Sequence, residues 1–491
     1  MKIVPQLDTY PKLVRFGQTI PGKAVLLGAF AAGLFAVKVE TWIELTAAVV
    51  LITYFPARRR LLVSVATLYW LFFHTDWLNW DFLRGMATAE GQRTDWILTA
   101  LVAGILAVMF CEIAVFFSYV RARRDSFAAR RPVLCLVTGA LLLLFVADLL
   151  PVYGVARLVM WSWIAVTLPF LWYFAYALKD ASAKTPDGPV MQFGTVRPFW
   201  GPTNMPYAKG AANLRRTEAR SPEDLCVTQL KAIKLLIWVF ILRIPLRVLR
   251  VVVYGYPSQA GPLVRLAHRA HLDLPNLGIP ELTVALQQTA LPVNVAWASV
   301  IAHFAEALLT MTIIGNIVIA CCRMSGFRLL RNTYRPLESR TVAEFWNRYF
   351  YYFKELLVEF FFFPTFTRYF KGHRRLRTFA ATMAAATAGN MIYHFLQYYW
   401  FVPQLGIWKA VTGFKVYAFY TTMLGLGIGI SQLRGQGKAR LADDAHWWRK
   451  GLATAGVVAF FCLLDIFDQE GRSIGLGQCV HFFLRLFFIP V

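Results

Sequence analysis

The sequence predicts an all-α, polytopic membrane protein with about twelve crossings, together with re-entrant or interfacial helices. Of its 491 residues, 58% are hydrophobic and only 16% are charged, whereas globular domains carry about 25% charged residues. Several apolar runs reach the roughly 17–25 residues that a helix needs to span a bilayer. We find no internal repeat and no separate soluble domain, so residues 1–491 are predicted to form a single membrane domain.

The basic residues occupy short loops between the apolar runs. The formal net charge is +24, and its densest clusters are Arg58–Arg60, Arg121–Arg131, Arg215–Arg216 and Lys371–Arg377. Such placement follows the positive-inside rule and indicates contact with anionic membrane lipids. It argues against nucleic acid as a partner. With an even number of crossings, both termini are predicted to be cytoplasmic.

The apolar runs and the loops between them give the expected order of elements. The predicted crossings are Ala24–Val37, Trp42–Phe55, Leu61–His74, Trp96–Val120, Val133–Leu150, Val155–Leu178, Leu230–Tyr254, Val293–Cys322, Thr378–Phe401, Val411–Leu433, Gly451–Asp465 and Ile474–Pro490. The longest polar segment, residues 179–228, contains six prolines and is predicted to be a cytoplasmic loop. An acidic stretch with Asp76, Asp81 and Glu90 is predicted to lie outside.

One polar stripe runs through an otherwise apolar segment. At 100° per residue, Thr387, Asn390, His394 and Gln397 share one helix face. Unpaired polar groups in hydrocarbon cost several kcal/mol each, in rough terms, so this stripe must face protein or water. His394 is either hydrogen-bonded between packed helices or part of an intramembrane reaction site.

Residues 325–364 form a basic loop followed by an aromatic helix. Thr341 or Ser339 can cap that helix, and Glu344 can pair with Arg348 four residues later. Basic clusters lie on both sides of the helix, so a full crossing would place one of them outside. We therefore expect a re-entrant or tilted helix buried in protein.

The same segment resembles the membrane-bound O-acyltransferase family. The residues that carry the resemblance are Gly326-Phe327, Asn332-x-Tyr334-x-Pro336-Leu337, Ser339 and Phe345-Trp346-Asn347-Arg348, followed by His394, 48 residues after Trp346. The likeness is closest to the bacterial branch that acylates cell-envelope polymers, including alginate O-acetylation proteins. It covers residues 325–400, which hold the signature loop, the buried helix and the histidine-bearing helix. It implies a bacterial inner membrane location.

One position departs from the family pattern. Where the family has its first histidine or asparagine, this chain has Phe350, preceded by Tyr349 instead of tryptophan. Phenylalanine can neither donate nor accept a proton. Either His394 suffices, helped by Asn347, Asn390 or Tyr393, or the chain has another role.

The resemblance implies acyl transfer from a thioester to a hydroxyl. That reaction needs a base, an oxyanion stabiliser and exclusion of water. His394 suits the base, and Asn390 either assists it or makes a packing hydrogen bond. Trp346 and Tyr393 are expected to shape the site. Arg348 either contacts donor phosphates or pairs with Glu344.

The resemblance leaves two further groups open. Arg328, Arg331 and Arg335 either attract the phosphates of the donor or merely follow the positive-inside rule. His303 and Glu306, three residues apart, either line a tunnel or latch helices together.

No metal site is predicted. His268 and His271 have a suggestive spacing, but no nearby residue completes a ligand set.

The expected function is therefore an O-acyltransferase without a bound cofactor. Its donor would be acyl-CoA or a carrier-protein thioester, carrying an acetyl or other short acyl group. Its acceptor would be a polysaccharide, glycolipid or natural product, with an extracytoplasmic protein as a possible partner by analogy. The alternative is a transporter or a non-catalytic membrane partner that reuses the fold.

Overall fold

The protein is built from helices throughout the part of the chain that the computed structural model describes. That part comprises residues 4–92, 95–184, 187–201, 205–255, 276–435, 446–469 and 474–489. Within it no strand occurs. The all-α prediction is confirmed.

The helices are mostly bounded by prolines, glycines and hydroxyl caps, as their sequences require. The α-helices are Pro11–Gln18, Ile20–Ala36, Trp42–Tyr54, Arg59–Phe73, Trp80–Ala89, Asp95–Ala122, Phe127–Arg130, Pro132–Leu149, Gly154–Thr167, Leu171–Ala181, Pro189–Phe193, Ala211–Thr217, Pro222–Val248, Leu282–Ala285, Val293–Met324, Val342–Tyr349, Tyr351–Leu357, Phe363–Arg368, Arg374–Met383, Asn390–Gln397, Phe401–Leu405, Ile407–Gly413, Lys415–Gly435, Trp447–Leu464 and Leu476–Leu486. Three π-helical segments, Leu249–Val253, Val358–Phe362 and Ala384–Gly389, continue neighbouring α-helices.

Six helices in the described residues are long and apolar enough to cross a membrane. They are Trp96–Ala122, Pro132–Leu149, Gly154–Ala181, Val293–Met324, Lys415–Gly435 and Trp447–Phe467. A seventh is counted if Pro11–Gln18 and Ile20–Ala36, bent by 101° at their junction, form one span. The chain is an integral membrane protein by these helices, but the predicted number of about twelve crossings is not confirmed.

Several predicted crossings are helical yet too short or too polar to meet that criterion. Trp42–Tyr54 has 13 residues and Leu476–Leu486 has 11. Pro222–Val248 is long enough but carries four basic residues and two acidic ones. It packs along Val293–Met324 on one side, while Phe240 and Val248 are more than half exposed.

The polar segment at residues 179–228 is tied to the helices by charged contacts wherever it is described. Asp187 pairs with Arg60 at 2.6 Å, and Lys209 pairs with Glu355 at 2.8 Å. Phe199 and Trp200 are buried in it. The described residues of the segment therefore pack against the helices, with Lys209 reaching the Ser325–Pro364 region.

Candidate functional site

His394 lies on a helix that faces protein along its polar stripe. Thr387 donates to the carbonyl oxygen of Thr421 at 3.0 Å, and Asn390 Oδ1 accepts a 3.0 Å hydrogen bond from the Tyr417 hydroxyl. The Tyr417 ring lies 4.7 Å from the His394 ring, measured between centroids. Thr387 and Asn390 of the stripe thus face the helix Lys415–Gly435, in agreement with the expectation that the stripe faces protein or water.

The His394 imidazole is half-buried and borders a cleft. Besides Tyr417, the rings of Tyr393 and Phe353 contact it, with centroids at 5.1 and 5.7 Å. The cleft has a volume of about 440 Å³. It is lined by Asp76, Trp77, Leu78, Asn79, Pro169, Tyr393, His394, Gln397, Tyr398, Tyr399 and Trp400. The imidazole is thus held by three rings and exposed on one side to a polar opening.

A second cavity is lined by basic side chains. Its volume is about 520 Å³. It is lined by Gln6, Asp8, Lys231, Lys234, Arg323, Leu330, Arg331, Asn332, Tyr334, Asn347, Arg348 and Tyr351. Five cations face one carboxylate, Asp8, which lies 3.7 Å from Lys231. Burial lowers the pKa of the Arg331 guanidinium. The cavity is a site of concentrated positive potential.

The cleft and the basic cavity lie towards opposite ends of the helix Arg59–Phe73. Arg59, at the start of Arg59–Phe73, pairs with Glu218 at 3.3 Å, and Glu218 bridges to Phe327 beside the basic loop. The residues Asp76–Asn79 of the cleft follow the other end of that helix. A 15-residue helix is about 22 Å long. The cavity therefore belongs to the end with the basic clusters and the cleft to the acidic end.

The aromatic helix between the two is broken at Phe350. Val342–Tyr349 ends there and Tyr351–Leu357 begins, because Phe350 has non-helical backbone angles of φ −121° and ψ 65°. A break inside a protein leaves unsatisfied N–H and carbonyl groups on both sides. Buried groups of this kind need other partners.

The signature loop supplies those partners. Its residues Asn332, Thr333 and Tyr334 make four hydrogen bonds to the break. On one side of the break, the Tyr351 N–H donates to the backbone oxygen of Asn332 at 3.0 Å, and the Tyr352 N–H donates to Asn332 Oδ1 at 3.3 Å. On the other side, the Thr333 hydroxyl donates to the carbonyl oxygen of Tyr349 at 2.8 Å. The Tyr334 N–H donates to the carbonyl oxygen of Arg348, also at 2.8 Å. The motif residues Asn332 and Tyr334 thus act here by capping two half-helices.

Aromatic rings fill the space from the broken helix to His394. Trp346 lies 5.9 Å from Phe350 and 6.0 Å from Phe353 between ring centroids. Phe353 in turn contacts Tyr393 at 4.8 Å and the His394 ring. The cleft and the basic cavity share no lining residue, and these rings lie between them.

The predicted site residues therefore divide into two groups. His394, Asn390 and Tyr393 gather around the cleft, with Trp346 in the ring cluster behind them. Asn347 is exposed and lines the basic cavity, so the structure does not bring it to His394.

The predicted arginines also divide. Arg348 pairs with Glu344 at 2.6 Å, as expected, and lines the basic cavity together with Arg331. Arg328 is tied instead to Asp224 at 3.1 Å, and Arg335 lies 3.3 Å from Glu338. Neither Arg328 nor Arg335 is among the residues lining the cavity.

Glu306 does not lie at either cavity. Its carboxylate accepts from Arg250 at 2.7 Å and joins the π-helical segment Leu249–Val253 to Val293–Met324. His303 is half-buried on the same helix. Of the two interpretations, tunnel lining or helix latch, the contact of Glu306 with Arg250 favours the latch.

Sequence reasoning missed Tyr417 and the cations Lys231, Lys234 and Arg323. Lys231 and Lys234 are three apart in Pro222–Val248, a spacing that places both on one helix face. That periodicity was the available indication. The sequence offers no such indication for Tyr417, because a functional tyrosine in an apolar run looks the same as one that only packs against its neighbours.

No group of three potential metal ligands occurs in the described part of the chain. His268 and His271 lie outside the described residues.

The fold and the cleft define a helical integral membrane protein with a histidine accessible at one end and a basic cavity at the other. No protein-family model matches the chain, and no curated protein matches it.

Proposed function

We propose that the protein is a membrane O-acyltransferase that moves a short acyl group from a cytoplasmic thioester to a hydroxyl. The observation that carries the proposal is the arrangement around the ring cluster. A half-exposed imidazole faces one end and a cation-lined cavity faces the other. Two substrates of opposite character can thus approach from opposite sides.

In the proposed step, His394 takes the proton of the acceptor hydroxyl as the hydroxyl oxygen attacks the thioester carbonyl. The C–O bond forms, the C–S bond breaks, and the imidazolium of His394 gives the proton to the leaving thiolate. The neutral thiol then departs towards the basic side. Tyr417 packs on His394 and is itself held by Asn390. Asn390 therefore acts as a positioning residue that fixes the imidazole through Tyr417.

The basic cavity is proposed to receive the phosphates of the donor. Acyl-CoA and a carrier-protein thioester share a phosphopantetheine arm, so both present anions to Arg331, Lys231 and Arg348. Arg348 keeps its 2.6 Å pairing with Glu344 and presents its remaining donors to the cavity. Guanidinium groups suit phosphate because they donate in a planar fork.

The resemblance to polymer-acylating proteins supplies the finer parts of this proposal. They are a bacterial inner membrane location and an extracytoplasmic partner protein. The apolar runs and the basic loops supply the proposed number of about twelve crossings, with both termini cytoplasmic. The acceptor is proposed to be a polysaccharide, glycolipid or natural product with a free hydroxyl.

A second candidate is a transporter or a non-catalytic membrane partner. Two observations favour it: Phe350 cannot move a proton, and the two cavities share no lining residue. In this case His394 would bind a ligand in the cleft without reacting.

The test is transfer or hydrolysis of radiolabelled acetyl-CoA by the purified protein in lipid nanodiscs. Because base catalysis contributes about 10²–10⁴-fold, His394→Ala should lower turnover on that scale. His446→Ala is the matched control, since His446 is exposed at the start of Trp447–Leu464. Equal turnover by wild type and His394→Ala would reject the enzymatic proposal in favour of the second candidate.

A further inference from the structure

A crevice outside the candidate site joins two basic clusters that are far apart in sequence. It lies between the start of Pro132–Leu149 and the short helix Phe363–Arg368, and its volume is about 250 Å³. It is lined by Ala129, Arg130, Arg131, Pro132, Val133, Leu134, Lys179, Ser182, Glu359, Phe360, Pro364 and Arg368.

The charge in the crevice is strongly positive. Lys179 is matched by Glu359 at 2.5 Å, and Arg130 approaches only the fully exposed Asp125, at 3.7 Å. Arg131 and Arg368 make no ion pair within the described residues. Two exposed guanidinium groups thus face one crevice without a protein carboxylate to neutralise them, which favours an anionic ligand.

The walls of the crevice are apolar and continue onto a membrane-spanning helix. Val133, Phe360 and Pro364 line it, and Leu134 is 48% exposed at its edge. Below it, the outer face of Pro132–Leu149 exposes Leu141, Leu142, Phe145, Val146 and Leu149. The 18 residues of that helix span about 27 Å, close to the thickness of the hydrocarbon core. A ligand with a charged head and long apolar chains matches both surfaces.

We infer that this crevice binds one anionic phospholipid of the leaflet on the basic side. Its phosphate lies between Arg131 and Arg368, and its acyl chains lie along the exposed face of Pro132–Leu149. A free phosphate would satisfy the arginines but would leave the apolar wall unused. The inference is independent of the proposed acyl transfer, because none of its residues touches the cleft or the basic cavity.

The experiment is native mass spectrometry of the full chain in detergent, titrated with phosphatidylglycerol. The test variant is Arg131→Gln with Arg368→Gln. The control is Arg15→Gln with Arg58→Gln, which removes two exposed cations elsewhere. Each cation near an anionic membrane surface contributes about 1 kcal/mol, so the test variant should bind the first phosphatidylglycerol about 25-fold more weakly. The control should match the wild type.

Two further titrations separate the lipid from its head group alone. Phosphatidylcholine should bind the wild type much more weakly than phosphatidylglycerol, and soluble glycerol phosphate should not displace the bound lipid at equal concentration. An equal loss of affinity for phosphatidylglycerol in the test and control variants would overturn the inference, since the effect would then come from the overall charge of the protein. Displacement by glycerol phosphate would overturn it as well.

Discussion

Replacing Asn332 tests whether the signature loop holds the broken helix together. Asn332 is only 3% exposed, and its side-chain oxygen accepts the N–H of Tyr352 at 3.3 Å. Asn332→Ala keeps the backbone acceptor for Tyr351 but leaves the Tyr352 N–H without its partner. A buried donor that loses its acceptor costs about 1–3 kcal/mol. The equilibrium constant for unfolding should therefore rise about 5- to 150-fold.

The measurement is reversible unfolding in mixed micelles, followed by tryptophan fluorescence against the fraction of denaturing detergent. Asn347→Ala is the matched control, because the same group is removed from an exposed position nearby. Surface substitutions change the free energy of unfolding by about 0.5 kcal/mol or less. If Asn332→Ala behaves like Asn347→Ala, the hydrogen bond does not stabilise the break and the capping argument is wrong.

Two more predictions concern packing and pH. Gly389→Ala should destabilise the protein by about 1–3 kcal/mol, because its Cβ would lie 2.6 Å from the Phe361 ring. In contrast, a Cβ added at Gly28 would have no atom within 4 Å, so Gly28→Ala should stabilise its helix by about 0.5–1 kcal/mol. Equal changes in the free energy of unfolding for Gly389→Ala and Gly28→Ala would contradict this reasoning. A backbone N–H and Arg157 hold the pKa of Glu90 below its ordinary value of 4.5. The folded state binds this proton less readily, so the stabilisation is present above pH 4.5 and is lost as pH falls through the lowered pKa. Wild type should lose stability over that acid range relative to Glu90→Gln, and parallel pH profiles of the two would refute the assignment.

Local sequence patterns predicted local structure correctly. Thr341 does cap Val342–Tyr349, accepting the N–H of Glu344 at 3.1 Å, and Glu344 does pair with Arg348. Both contacts join residues three or four positions apart, and helix geometry alone brings the side chains of such residues together. The polar stripe of His394 was predictable for the same reason.

Contacts between distant segments could not be predicted in this way. The break at Phe350 depends on a loop some 20 residues earlier, so the helix sequence itself gives no sign of it. Glu355 pairs with Lys209 and Glu359 pairs with Lys179, and each pair joins residues that lie more than 100 positions apart in the sequence. Apolar runs likewise predicted helices without showing which ones bend or lie buried. The predicted number of about twelve crossings is not confirmed.

The order of the capping loop and the half-helices along the chain has a consequence for biogenesis. Asn332 leaves the ribosome 20 residues ahead of Tyr352, which corresponds to about 1–4 s of synthesis. Each exposed end of the interrupted helix thus emerges when its partner has already been made. Translation in this direction spares the nascent chain a period with unpaired peptide groups at the break, and a circular permutant that placed the loop last would lose that protection.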